Sequence, residues 1–308
     1  MGLIKKIRKY ITGKRLTWPI PFKEGRSLEE IYVRDPYIIF EDDTYYLIGT
    51  TYRLNFNDSY GVLMYKSKDL KTFSGPYMIL EKSKLNVEYK DFWAPEIHKY
   101  KDKYLLLVTL TPKGFKRGTY LFVSDSIMGG YKMRSRVTEP NASSLDGTFL
   151  EENGKLYITY CYGYEETNDD GKIARVELKE DLSGIDYSTK VDLFRASANP
   201  YRLTKKRQKV TDGPFYFKHN NELYLLWATN DKNEKYIQLV AKSDNGSILG
   251  NFTQLGPIYT DDGGHGMIFK NKEGRNCLIL HVPNKRTLKG EYEHPIIIED
   301  ITSKGIFR

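Results

Sequence analysis

Three aspartates stand at the start of three similar strand-like segments. Asp35 opens "DPYIIF", Asp146 opens "DGTFLE" and Asp212 opens "DGPFYF". A single Asp beside Gly or Pro is usually only a turn residue. Three carboxylates around one cavity would instead raise one another's pKa, so they would have to share protons, bind cations or act as catalysts. Hydrolysis of a glycosidic bond needs one protonated and one ionised carboxyl, and a third carboxylate would keep the acid protonated.

The elements that must position these acids are repeated five times. Each copy has a turn, a hydrophobic strand, a polar hairpin tip and a second aromatic strand. The copies begin at Asp35, Ala94, Asp146, Asp212 and His265. In several copies a third strand follows and ends in Ser/Asp turn residues. This repetition predicts antiparallel propeller blades.

The predicted fold is therefore an all-β five-bladed β-propeller. It forms a single domain over residues 31–308, after an N-terminal extension over residues 1–30. In such a ring the innermost strand of every blade starts at the central axis. We therefore expect Asp35, Asp146 and Asp212, at equivalent positions of copies one, three and four, to meet at one mouth.

Composition favours a packed domain without a nucleic-acid partner. The chain has 308 residues, of which 40% are hydrophobic, and a formal net charge of +8. Basic residues are dense only in residues 5–15 and 203–209, and neither stretch carries a known nucleic-acid motif. The 25 tyrosines suit both strand faces and sugar-binding clefts. We expect no nucleic-acid partner.

The N-terminus and the two cysteines indicate a reducing compartment. Residues 1–19 are basic but lack the apolar stretch of a secretory signal, which favours a cytoplasmic location. One face of this segment is apolar, and packing against the domain is a simpler expectation than membrane contact. Cys161 and Cys277 lie in apolar runs and fit no metal spacing, so reduced buried thiols are the default, with a disulfide between them left open.

Five phrases in fixed order carry a resemblance to a known family. They are "RDP" from Arg34, "WAPEIH" from Trp93, "SLDGTF" from Ser144, "TDGPF" from Thr211 and "GGHGMIF" from Gly263. From Val33 to Asp300 the sequence resembles glycoside hydrolase family 43, which consists of five-bladed propeller glycosidases. The resemblance implies that Asp35 is the general base, Asp212 the general acid and Asp146 the carboxylate that tunes the pKa of the acid and orients it.

The sequence departs from the usual family pattern at Asp212. The family usually has Glu-Gly-Pro at this place. This chain has Asp-Gly-Pro, as does a subgroup of the family. Asp lacks one methylene, which draws the carboxyl back by about one carbon–carbon bond, roughly 1.5 Å. A misplacement of that size can cost about 10²-fold in rate. Either the backbone compensates, or another acid such as Glu96 acts, or the protein binds glycans without cleaving them.

Other residues take roles from the resemblance. Trp93 is expected to be a sugar platform, although a core or rim position explains it equally well, and Glu96 and Phe215 are further candidates for substrate binding. His265 matches a histidine near the propeller axis that helps hold a metal ion, often calcium, through water. No cofactor is needed for the chemistry, and any calcium would be structural. His98, His219 and His281 are expected to be structural.

The leading functional hypothesis is an inverting glycosidase that acts on pentose-containing oligosaccharides. An α-L-arabinofuranosidase or a β-xylosidase is implied, and a cytoplasmic enzyme would act on short oligosaccharides from their ends. Two alternatives stay open at this point. One is a non-catalytic glycan-binding propeller, and the other is an enzyme of the same clan with a different acid that cleaves galactosides or galactofuranosides. The sugar, the linkage and the oligomeric state do not follow from the sequence.

Overall fold

The structure is a computed structural model that describes residues 19–51, 59–86, 88–164, 170–201, 209–284, 292–303 and 307. The basic N-terminal segment up to residue 18 lies outside the described residues, as does most of the basic stretch 203–209. Within the described ranges no helix is both long and apolar enough to span a membrane.

Twenty strands in five antiparallel sheets make up the described part of the chain. Blade 1 contains β1 (Lys23–Arg26), β2 (Arg34–Glu41), β3 (Thr44–Thr50), β4 (Gly61–Ser67) and β5 (Phe73–Glu81). Blade 2 contains β6 (Tyr89–Tyr100), β7 (Lys103–Pro112), β8 (Gly118–Ser124) and β9 (Lys132–Arg136). Blade 3 contains β10 (Ser144–Glu152), β11 (Lys155–Tyr162), β12 (Lys172–Leu178) and β13 (Ile185–Arg195).

Blade 4 contains β14 (Asp212–His219), β15 (Glu222–Asn230), β16 (Tyr236–Ser243) and β17 (Phe252–Tyr259). Blade 5 contains β18 (Gly264–Lys270), β19 (Asn276–Val282) and β20 (His294–Ile298). Three short 3₁₀ turns cover Leu28–Glu30, Lys82–Lys84 and Ala196–Ala198.

The hairpin tips form where the sequence predicts them. Asp42 and Asp43 join β2 to β3 with φ angles of 47° and 55°, and Asn220 and Asn221 join β14 to β15 with 50° and 63°. Two successive left-handed residues match the twist of the strands that they connect, and Asp and Asn tolerate this backbone better than most residues. Local sequence therefore sets the register of these hairpins.

The five sheets close into a ring. The innermost strands contact one another in sequence, β2 with β6, β6 with β10, β10 with β14, β14 with β18, and β18 again with β2. The predicted all-β five-bladed propeller is confirmed. In blade 1 the strand β1 pairs with β5 and adds a fifth, outermost strand.

The hydrophobic core lies between neighbouring blades. One cluster joins blades 1, 2 and 5 and includes the buried side chains of Leu47, Val108 and Ile279. Trp227 is fully buried in a second cluster between blades 3 and 4. Each such side chain contributes about 1.5–3 kcal/mol by burial, so the sheets hold the ring rigid around its axis. Cys161 and Cys277 are buried free thiols.

Candidate active site

A β-bulge at the start of every innermost strand builds the centre of the ring. In each blade the pairing of the first two strands shifts register within the first residues. One residue of each bulge has a left-handed backbone, with φ between 43° and 56°. These residues are Asp35, Ala94, Asp146, Gly213 and His265. A bulge redirects side chains, and here it repeats five times around the axis.

Asp35 and Asp146 occupy equivalent bulge positions, as the sequence predicts, but Asp212 does not. The left-handed residue of blade 4 is Gly213, so Asp212 precedes the bulge and is equivalent to Arg34 and Trp93. The prediction of three equivalent aspartates is therefore wrong by one residue. The prolines in the sequence indicate the correct alignment of the blades, because Gly213-Pro214 aligns with Asp35-Pro36.

The glycine at this bulge has a steric reason. A Cβ atom on Gly213 would lie 2.5 Å from Cδ2 of the His265 ring, closer than real Cβ contacts allow. Blade 4 therefore cannot present a carboxylate from its bulge residue. It presents one from the residue before, Asp212, which lies one step nearer the start of the strand.

The three aspartates nevertheless share one pocket of about 170 Å³. Besides them, the pocket is lined by Arg34, Thr50, Trp93, Leu145, Tyr164 and His265. Residues that are far apart in sequence thus converge because each stands at the inner end of a different blade. The predicted meeting of Asp35, Asp146 and Asp212 at one mouth is what the structure shows.

Asp35 is held as an ionised carboxylate. Its Oδ2 accepts a hydrogen bond from the Thr50 hydroxyl at 2.6 Å, and its Oδ1 lies 3.2 Å from Nδ1 of His265. Its backbone N–H donates to Nδ1 of His281 at 3.2 Å. Burial alone would raise the pKa of Asp35, but the positive charges of His265 and Arg34 outweigh it, and the pKa lies below its usual range.

Asp146 has the opposite electrostatic character. Its Oδ2 accepts the Gly213 N–H at 3.2 Å, and its own N–H donates to the Thr109 hydroxyl at 2.9 Å. Burial, together with the negative charges of Asp212 and Asp35, raises the pKa of Asp146 to about 8. This carboxyl therefore retains a proton near neutral pH.

Both oxygens of Asp212 accept tyrosine hydroxyls. Tyr164 donates to Oδ1 and Tyr236 donates to Oδ2, each at 3.0 Å. Burial and the charge of Asp35 raise the pKa of Asp212, although His265 and the two hydroxyls oppose the rise. The pKa values of Asp146 and Asp212 are thus both raised, so the two carboxyls share a proton. The two groups titrate as a pair.

His265 provides the positive charge at the centre of the site. Burial would lower its pKa, but the surrounding carboxylates of Asp35, Asp146 and Asp212 outweigh this and raise it. The imidazole Nδ1 also lies 3.8 Å from Oδ2 of Asp146. His265 thus offsets the repulsion between the carboxylates and favours ionisation of Asp35.

The described residues do not fit a directly bound calcium ion. Within those ranges no three His, Cys, Asp or Glu side chains are arranged to hold a metal. Calcium prefers six to eight oxygen ligands, and an imidazole such as that of His265 is a nitrogen ligand that does not suit it. A metal held through water stays a prediction, and no step of the proposed chemistry uses one.

Glu96 and Phe215 lie beside the aspartate pocket, not within it. They line a second cavity together with Tyr37 and Met267, and these four residues stand two positions past the bulge positions on their strands. Glu96 Oε2 lies 2.8 Å from Nε2 of His98, which ties this carboxylate to its own blade. Asp35 and His265 line both cavities, so the second cavity adjoins the aspartate pocket at these two residues.

Trp93 lines the pocket and is supported from behind. The guanidinium of Arg117 lies 4.2 Å from the centre of the Trp93 ring, and Nε of Arg117 donates to Oδ2 of Asp91 at 3.2 Å. Asp91 is buried and also accepts the Thr111 hydroxyl. This arrangement fixes the indole at the rim, which suits a sugar platform.

Several residues on other strands of the blades support the site and were not predicted from the sequence. Thr50 ends β3 in blade 1 and Thr109 lies near the end of β7 in blade 2. Each hydroxyl accepts the bulge N–H of the next blade, from Ala94 and Asp146. In the same way, Nδ1 of His281 in blade 5 accepts the bulge N–H of Asp35 in blade 1. The recurring threonine towards the end of the second aromatic strand is a signal that could have revealed this pattern.

Comparison with known proteins identifies the family. The profile of "Glycosyl hydrolases family 43" matches residues 29–302. The chain belongs to this family. It is accordingly a glycoside hydrolase with a carbohydrate substrate, as the sequence predicts. No match of significance occurs among curated proteins.

Solved structures of several glycoside hydrolases share the fold over most of the chain. An endo-arabinase from Bacteroides thetaiotaomicron VPI-5482 is 31% identical, with a TM-score of 0.78, and the match covers 90% of this chain and 97% of that one. An α-L-arabinofuranosidase from Lactobacillus brevis is 17% identical, with a TM-score of 0.70 and coverage of 87% and 90%. The RS223 β-xylosidase is 16% identical, with a TM-score of 0.67 and coverage of 90% and 94%. At such low identity the last two show the fold alone.

The opposed pKa shifts predict a broad pH profile for this glycoside hydrolase. The role that the family resemblance implies for Asp35 requires an ionised carboxylate, and its lowered pKa would place the acid limb below the ordinary range of a carboxyl. The proton of Asp146 and Asp212 is lost as the pH rises through their raised pKa, so activity should fall towards and above pH 8.

A pH profile of kcat/KM tests this prediction. The expected result is full activity from about pH 5 to about pH 7 and a loss on the alkaline side. A fall that is complete below pH 6 would contradict the raised pKa of the pair. Circular dichroism at each pH separates loss of the fold from loss of the proton.

Proposed function

We propose that this protein is an inverting glycosidase that cleaves α-L-arabinofuranosyl bonds in arabinan-type oligosaccharides. The observation that supports the reaction type is one pocket that joins Asp35, whose pKa is lowered, with Asp146 and Asp212, whose pKa values are raised. The sugar assignment is supported by the endo-arabinase, which is 31% identical over nearly the full chain.

In the proposed reaction Asp35 acts as the general base. It accepts a proton from a water molecule, whose oxygen attacks the anomeric carbon from the face opposite the leaving group. Thr50 and His265 hold the carboxylate in place, and the positive charge of His265 keeps it ionised until it accepts that proton.

The leaving oxygen receives the proton that Asp146 and Asp212 share. We assign its delivery to Asp212, because this carboxyl comes from the residue before the bulge, where Arg34 and Trp93 of other blades also line the pocket. Asp146, which stands at the bulge position itself, shares this proton, because ionising two coupled carboxyls at once is unfavourable. Trp93 is assigned to stack against a sugar ring.

A panel of aryl glycosides and oligosaccharides tests the assignment. It includes aryl α-L-arabinofuranoside, β-D-xyloside, β-D-galactoside and β-D-galactofuranoside, together with linear arabino-oligosaccharides. The expected result is cleavage of the arabinofuranosides, with the first product formed in the inverted configuration by proton NMR. The size distribution of early products shows whether internal or terminal bonds are cleaved.

Other outcomes would redirect the proposal. Cleavage confined to xylosides or galactosides would overturn the sugar assignment but not the mechanism. A product of retained configuration would overturn the role of Asp35 as a base. Binding of oligosaccharides without cleavage of any panel member would indicate a glycan-binding propeller.

A further inference from the structure

Asp212 is both short and firmly held. The side chain lacks one methylene relative to the family's usual Glu, and both of its oxygens accept phenolic hydroxyls at 3.0 Å. A carboxyl held on both sides cannot swing forward to recover the missing length. A proton on Asp212 therefore needs a path to a leaving oxygen farther out in the pocket.

The two tyrosines that hold Asp212 differ in their position. Tyr164 lines the same pocket as the three aspartates. Tyr236 does not; its side chain is 2% exposed, it lies on β16, and its ring packs 5.6 Å from that of His281. Of the two tyrosines that contact Asp212, Tyr164 is the one that lines the pocket.

We propose that Tyr164 is a proton relay between Asp212 and the leaving oxygen. This inference rests on the proposed function. When Asp212 is protonated, the 3.0 Å hydrogen bond reverses: Asp212 Oδ1 donates to the Tyr164 oxygen, and the phenolic hydrogen turns towards the leaving oxygen. As the glycosidic C–O bond breaks, Tyr164 gives its proton to the leaving oxygen and takes the proton of Asp212 in the same step. The products are a neutral alcohol, a neutral phenol and the Asp212 carboxylate, so no free phenolate forms.

The relay explains how an Asp can stand where the family has a Glu. Insertion of one hydroxyl adds the 3.0 Å between Asp212 Oδ1 and Tyr164 Oη to the reach of the acid. This is about twice the length of one carbon–carbon bond. A hydroxyl both accepts and donates, so it can pass a proton without changing its own charge.

The first test compares Tyr164→Phe with Tyr236→Phe on aryl glycosides with leaving groups from dinitrophenyl to phenyl and methyl. The glycosides carry whichever sugar the wild type cleaves, so a wrong sugar assignment does not affect the test. We expect Tyr164→Phe to lose about 10²- to 10³-fold in kcat/KM on phenyl and methyl glycosides but little on the dinitrophenyl glycoside, which needs no acid. Tyr236→Phe also removes a hydrogen bond of Asp212 but lies outside the pocket lining, so it should lose much less than Tyr164→Phe on the phenyl and methyl glycosides and little on the dinitrophenyl glycoside.

The second test is rescue by a longer acid. In the double variant Tyr164→Phe with Asp212→Glu, the side chain regains the missing methylene. Its kcat/KM on glycosides with poor leaving groups should be at least about 10-fold higher than that of Tyr164→Phe. The rate on the dinitrophenyl glycoside serves as the control for folding in every variant. The relay is overturned if Tyr164→Phe and Tyr236→Phe show the same dependence on the leaving group, or if the double variant is no better than Tyr164→Phe. A wild type that cleaves no glycoside would overturn the proposed function and the relay together, whereas the other outcomes separate them.

Discussion

Asp35→Asn is expected to lower kcat/KM by about 10³- to 10⁴-fold on every substrate that the protein cleaves. The amide cannot accept the proton of the attacking water, and no leaving group, however good, replaces this step. The Thr50 hydroxyl, which donates to Oδ2 of Asp35, can still donate to an amide oxygen, so the fold should be retained. Steady-state kinetics and thermal unfolding of the variant measure the two effects.

A matched control for this substitution lies in the same blade. Asp43 stands at the tip of the hairpin that joins β2 to β3, and its side chain is 74% exposed beside Lys68. Asp43→Asn should leave kcat/KM within about 2-fold of wild type, since surface pairs of this kind contribute little. If Asp35→Asn retained a tenth or more of the activity, Asp35 would not be the base.

Asp212→Asn is expected to show a loss that grows as the leaving group worsens. For oligosaccharides and alkyl glycosides, whose leaving oxygens need a proton, we expect a decrease of about 10²- to 10⁴-fold. For dinitrophenyl glycosides the decrease should be small, because the leaving group departs as a stable anion. The slope of log kcat/KM against the pKa of the leaving group measures this difference.

Glu96→Gln is the matched comparison for the acid. Glu96 is the other acid candidate from the sequence, but it lines the second cavity and lies 2.8 Å from His98. Glu96→Gln should keep the wild-type slope of log kcat/KM against the pKa of the leaving group. A steep slope in Glu96→Gln, with a shallow one in Asp212→Asn, would assign the acid to Glu96 and contradict the assignment of Asp212 as the proton donor.

Several features were predictable because they depend on residues close together in the chain. The repeated turn, strand and hairpin tip predicted five blades, and Asp42-Asp43 and Asn220-Asn221 adopt the left-handed tips that such residues favour. Radial repetition then placed Asp35 and Asp146 at equivalent points of the axis. These inferences needed only local backbone preference and the symmetry of the repeat.

The tertiary structure decided the features that depend on contacts between blades. Asp212 stands one residue before its bulge because His265, from blade 5, leaves no room for a side chain on Gly213. Tyr164 and Tyr236 reach Asp212 from blades 3 and 4, and nothing in their local sequence distinguishes them from the other tyrosines.

The sequence by itself determined the propeller, its five inner strands and the carboxylates at their ends, since a repeat of hydrophobic and turn residues specifies each blade locally. Only the tertiary structure decided which carboxylate is ionised and which retains a proton. A pKa depends on burial and on charges a few ångströms away, and here those charges, on Asp35, Asp146, Asp212 and His265, come from four different blades.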